Sequence, residues 1–159
     1  MKTDVVKLVT FRLGADLFAA EVNSVERVLR YVVPAAVPEV PSWISGVIEY
    51  QRRVVPVVDL RLRVELPAPS LTATSRTLVL NTSAGWVGAI VDAVFEVATV
   101  PATSISPPPP LFRGLSADLL KGIARIAEQL VIVLDVDRVL TSTDRIVLER
   151  AIPELAGRA

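Results

Sequence analysis

Neither cysteine nor histidine occurs in the 159 residues. The first absence removes thiolate nucleophiles, and the two together remove ordinary zinc sites and the commonest general base near neutral pH. Lysine is scarce as well, at Lys2, Lys7 and Lys121, so arginine supplies nearly all of the 17 cations. These are matched by 17 carboxylates, and a net charge of zero gives nucleic acid no bulk attraction. No apolar run reaches the length of a membrane span, and the opening "MKTDVVKLVT" has no signal-peptide core, so a soluble cytoplasmic protein is expected. Glycines at 14, 46, 85, 88, 114, 122 and 157 form neither a dinucleotide fingerprint nor a P-loop.

What is abundant is aliphatic. Hydrophobic residues make up 52% of the chain and come in short, valine-rich runs broken by proline, glycine and polar turns. That is the signature of short buried strands, so the fold class is mainly β. Strands are predicted at 7–13, 17–21, 29–33, 47–50, 54–58, 77–80, 86–91, 95–100, 123–127 and 130–136. Val22, Val25 and Val28 recur every three residues, which suggests a helical turn, and "TSTDRIVLER" (Thr141–Arg150) carries capping residues ahead of an apolar stretch, which predicts a C-terminal helix.

An internal repeat is visible. "GVIEYQRRVVPVVDL" from Gly46 has a counterpart 76 residues on in "GIARIAEQLVIVLDV" from Gly122, with Asp59 and Asp135 thirteen residues after each glycine. "FAAEVNSVERV" from Phe18 aligns with "VGAIVDAVFEV" from Val87, pairing Val22 with Val91, Val25 with Val94 and Val28 with Val97. Two similar β units follow, expected near 14–65 and 76–140 and joined by the polar stretch Glu65–Ser75, with the N-terminal strand available to complete the second unit. An aspartate that recurs at the end of both runs suits a turn or helix cap better than a unique catalytic carboxylate. Ser116 and Lys121 have no spacing with mechanical meaning, and Asp16, Glu21, Asp92 and Glu96 are scattered, so no catalytic, metal or cofactor site is expected. The tetraproline Pro107–Pro110 reads as a stiff connector.

"FRLGADLFAAEV", "VPSWISGVI", "VVPVVDLRLRV", "VGAIVDAVFEVATV" and "ISPPPP" resemble, in this order over roughly residues 6–140, the CheW-like family of chemotaxis coupling domains. The resemblance implies one domain of two five-stranded SH3-like barrels. It also implies a non-enzymatic adaptor between the cytoplasmic hairpin tip of a chemoreceptor and the regulatory domain of a CheA-type histidine kinase. By position it marks Val22, Val25, Arg27, Gln51, Arg52, Val87 and Val91 as candidate partner contacts, although the valines equally fit a buried core. The chain departs from the family at Gln51 and Arg52, where an arginine and a glycine are usual. Loss of that glycine predicts a different turn and altered receptor contact. A divergent scaffold in another chemosensory pathway therefore stays open, as does an enzyme built on Asp59 or Asp92.

Overall fold

In the computed structural model, residues 4–68, 70–107 and 117–152 are described. The elements in chain order are β1 (Val5–Leu13), β2 (Asp16–Glu21), β3 (Val25–Arg30), β4 (Ile44–Tyr50), β5 (Arg53–Asp59) and the single-turn helix α1 (Leu60–Arg63). They continue with β6 (Arg76–Thr82), β7 (Gly85–Val91), β8 (Ala93–Pro101), β9 (Ile105–Ser106), β10 (Leu120–Ile126), β11 (Gln129–Leu134) and helix α2 (Ser142–Ala151). The mainly β class and the C-terminal helix are as predicted. Most of the tetraproline, residues 108–110, and Ser116 lie outside the described residues.

Two sheets form, ordered β8-β1-β2-β11-β10-β9 and β3-β6-β7-β5-β4. Each rolls up, because side chains from opposite ends of the strand order share one small core. Val100 of β8 meets Ala124 of β10 and Ile105 of β9 in the first, and Leu29 of β3 meets Tyr50 and Ile48 of β4 in the second. One barrel thus has six strands rather than five, through the two-residue β9.

The boundaries 14–65 and 76–140 are not those of the barrels. Hairpin β1–β2 joins β8–β11, whereas hairpin β6–β7 joins β3–β5. After each hairpin the chain crosses to the other barrel: β3 pairs with β6 and β8 with β1. A repeat reports local similarity, whereas strand partners are chosen by long-range pairing. The crossing also explains the strand predicted at 29–33. It lies at 25–30, in register with β6 from Val25↔Leu80 to Arg30↔Arg76, and only Val22–Ser24 form the helical turn.

The repeat itself is reproduced in detail. Hairpins β4–β5 and β10–β11 carry the same irregularity, between Ile44 and Gly46 and between Leu120 and Gly122. A side chain on Gly46 would strike the carbonyl oxygen of Ala35, and one on Gly122 that of Ser106. Both positions therefore need glycine for close backbone approach. The two aspartates are caps: Asp59 accepts from the Arg61 backbone N–H at 3.1 Å, and Asp135 from that of Asp137 at 3.1 Å.

A shared core lies between the barrels, with Phe11, Leu13 and Phe18 on one side and Val58, Leu78 and Val91 on the other. Leu148 of α2 enters it. Thr141 and Asp144 form a capping box at the start of α2, and the buried Asp144 carboxylate also accepts from Trp43 Nε1 at 3.2 Å, which pins the helix to the chain before β4.

Arg61 fastens the barrels together. Its guanidinium donates to Asp59 through Nε (3.0 Å) and Nη2 (2.9 Å), and to Asp92, at the β7–β8 crossing, through Nη1 (3.1 Å). Asp92 in turn accepts from the Gly14 N–H at 2.7 Å in the β1–β2 turn. The hydrogen bonding to the Asp59 carboxylate raises the Arg61 pKa, against the opposing effect of burial, and the charges of Asp59 and Asp92 add to the rise. Replacing Arg61 with leucine strands two buried carboxylates and is expected to cost about 3–5 kcal/mol, read as a lower urea midpoint.

Candidate functional site

The candidate contact residues fall into three environments. Val87 and Val91 point into the shared core, at 3% and 0% exposure, and offer no surface to a partner. Their assignment as contacts is corrected: the alternation that sends Trp86 to the small core of its own barrel sends Val87 to the core shared between the barrels, and valine alone does not tell which face is which.

Val22, Val25 and Arg27 lie together where the chain crosses into β3. Val22 and Val25 are half-buried, Val25 against the shared core, and Arg27 is exposed. Since β3 is the edge of its sheet, one side of its backbone is free of strand partners. Val28, at 42% exposure, extends this apolar edge, and Val32 and Val33 beyond it are more exposed still. None of these three is named as a candidate contact from the sequence, because Val28 reads as part of a helical turn and Val32 and Val33 as part of a buried strand at 29–33. A signal was present in "VERVLR", where three charged residues among the aliphatics argue against a strand sealed on both faces.

Gln51 and Arg52 are exposed at the tip of the β4–β5 hairpin. Contrary to the expectation, the turn keeps positive φ at both positions, +48° and +65°, without glycine. Two-residue hairpin loops favour this geometry because it matches strand twist, and Ala127 and Glu128 do the same in the twin hairpin at +50° and +66°. The Gln51 side-chain amide donates to the Tyr50 hydroxyl at 3.2 Å, and that hydroxyl donates to Glu26 of β3 at 3.5 Å. Tyr50 packs edge-on against Trp86 with ring centres 5.0 Å apart, and the Arg53 guanidinium lies 4.8 Å from the Trp86 ring centre. Hairpin tip and β3 edge therefore meet on one surface.

Beside Trp86 a cleft runs between the five-stranded barrel and α2, walled by Val54, Pro56, Trp86, Leu148, Glu149 and Arg145. The Arg145 Nε is buried without a hydrogen-bond acceptor.

None of this is catalytic geometry. Asp59 and Asp92 are consumed by Arg61, and Arg63 is buried and donates to the carbonyls of Val139 (2.9 Å) and Arg138 (2.9 Å). Burial lowers the Arg63 pKa. Lys121 is paired with Glu21 on the surface at 2.9 Å. Among the described residues no cluster of carboxylates could hold a metal ion, and no helix is long and apolar enough to cross a membrane.

Two interlocked β-barrels with exposed apolar edges define the class of fold to which the chain belongs. The CheW-like domain family matches residues 7–144, and the chain belongs to that family. Its sequence is 31% identical over 153 residues to the chemotaxis protein CheW of Bacillus subtilis, covering 94% of each chain. It is 25% identical over 142 residues to that of Treponema pallidum, covering 87% of this chain and 84% of the other. The crystal structure of the scaffolding protein TtCheW from Thermoanaerobacter tengcongensis superimposes with a TM-score of 0.83 at 28% identity, over 89% of this chain and 96% of that one. The chain is thus a chemotaxis scaffold of the CheW family and not an enzyme.

Arg52 at φ +65° bears the cost of a left-handed conformation, so Arg52→Gly is expected to raise stability by up to about 1 kcal/mol, the strain relieved less the entropy that glycine adds to the unfolded chain. Thermal denaturation measures it.

Proposed function

We propose that this protein is a cytoplasmic adaptor that couples the hairpin tip of a chemoreceptor to the regulatory domain of a CheA-type histidine kinase, and that it is recruited through them to receptor arrays. The observation that carries this reading is the β3 edge. Val25 and Val28 of β3, with Val22 in the turn before it, make an aliphatic strip beside Arg27 at a strand with a free side, which suits docking of a similarly built β domain. The receptor hairpin is assigned to the neighbouring cleft against α2. There Val54, Pro56 and Leu148 provide an apolar floor, with the charged Arg145 and Glu149 beside it.

A second reading, a scaffold serving a different chemosensory pathway, is favoured by Gln51 and Arg52. The hairpin keeps its shape but presents an amide where the family has a guanidinium, so recognition changes through chemistry rather than geometry.

Calorimetric titration with the kinase regulatory domain, and then with a receptor-tip hairpin, separates the two. Binding to both supports the coupling role, and Gln51→Arg is then expected to strengthen the receptor step. Binding to the kinase alone favours the second reading, and binding to neither removes both partners. Val28→Glu, at a half-exposed site that leaves the circular dichroism spectrum unchanged, is expected to weaken the kinase step by roughly tenfold, or about 1.4 kcal/mol. An unaltered affinity in that variant would take β3 out of the interface. Val91→Glu is expected to unfold the domain instead.

A further inference from the structure

Each barrel ends in an edge strand that carries an exposed valine, Val28 on β3 at 42% exposure and Val97 on β8 at 53%. The two valines occupy matching places in the repeat, and strand register carries the match further. Val28 lies opposite Leu78 and Arg30 opposite Arg76, whereas in the twin Val97 lies opposite Val9 and Thr99 opposite Lys7. An aliphatic contact alone would meet much the same edge on either barrel. What differs is charge, with two arginines at one edge and a threonine and a lysine at the other.

Residues directly opposite each other in an antiparallel pair project from one face, as do alternate residues of one strand, so Val28, Arg30 and Arg76 share a patch. Like charges so placed weaken the strand pairing. Among the described residues neither arginine forms an ion pair that would relieve it. The chain has as many carboxylates as cations, so the uncompensated pair is local and not the result of a basic surface. Arg76 is half-buried and fixed, because its Nη1 donates to the carbonyls of Ala73 at 2.9 Å and Ser75 at 2.8 Å. Arg30 is exposed and makes no hydrogen bond through its side chain among the described residues. One guanidinium held by backbone beside one that is free presents the planar donors that suit a carboxylate.

We propose that Arg30 and Arg76 form a clamp for a carboxylate side chain of the docked kinase domain, and that this clamp directs the partner to the β3 edge and away from its β8 twin. The inference rests on the reading of β3 as the kinase contact. Specificity is the difference between two similar edges, and a carboxylate that meets two guanidinium groups at one edge and only Lys7 at the other supplies that difference. The same carboxylate relieves the repulsion between the arginines, so the β3–β6 pairing is stronger in the complex than alone.

Calorimetric titration with the kinase regulatory domain, run beside thermal denaturation, tests it with Arg30→Thr, which copies Thr99 of the twin, and with Arg30→Glu. Both changes fall at an exposed strand position. Affinity is expected to fall at least about tenfold in Arg30→Thr and further in Arg30→Glu, with a weaker dependence on salt in each. The melting temperature is expected to hold or rise, because the like-charge pair is gone. A residue that merely braced the strand pair would lower affinity and melting temperature together, and that result overturns the clamp. Unchanged affinity in both variants also overturns it; where Val28→Glu still weakens binding, β3 stands as the kinase edge without the clamp. A wild type that does not bind the kinase domain overturns the β3 reading and the clamp with it.

Discussion

The bridge from Arg61 to Asp59 and Asp92 is the constraint on which the rest of the architecture hangs. It ties the end of β5, the β7–β8 crossing and, through the Gly14 N–H, the β1–β2 turn, so both barrels meet at one guanidinium. Burial makes each charge costly, and only this geometry satisfies them together. The bridge therefore acts as a register mark. If α1 turned elsewhere, or if either strand crossed one residue late, two carboxylates would remain uncompensated inside the protein. The apolar core between the barrels supplies bulk attraction, and the ionic contact selects the one way of packing that core.

Function depends on this rigidity because the surfaces offered to partners are edges. The β3 strip is an edge strand whose position is fixed by its pairing to β6, and the cleft is a gap between a barrel and a helix held by the Thr141–Asp144 box and Trp43. A scaffold has no chemistry with which to correct a misplaced contact. Its surface must already be in place when partners arrive, so that little ordering entropy is lost on binding.

Much of this was legible in the chain. The recurrence of Gly46 and Asp59 at Gly122 and Asp135 gave the twin hairpins, and the repetition of the aspartates correctly marked them as caps. The exchange of hairpins between barrels was hidden, because which strand β3 or β8 joins depends on partners dozens of residues distant. Inside and outside valines were also hidden. Val91 and Val22 occupy matching places in the repeat, yet one is sealed in the shared core and the other is half-buried beside an edge strand. Gln51 and Arg52 show the limit of reading turns from residue type, since hairpin twist imposed a left-handed backbone on both.

The exchange of hairpins has a temporal consequence as well. Strand β1 waits for β8 and β2 for β11, while β3 waits for β6. On a ribosome, β1 and β2 can pair with each other at once, but the outer edges of that hairpin and the whole of β3 stay uncovered until later strands emerge, and the six-stranded barrel closes only after β11 has been made. Such non-local pairing slows folding and leaves early strands uncovered during synthesis. The same interlock means that no cut between the repeats releases a self-sufficient half. The protein becomes a scaffold all at once, when its last strand is in place.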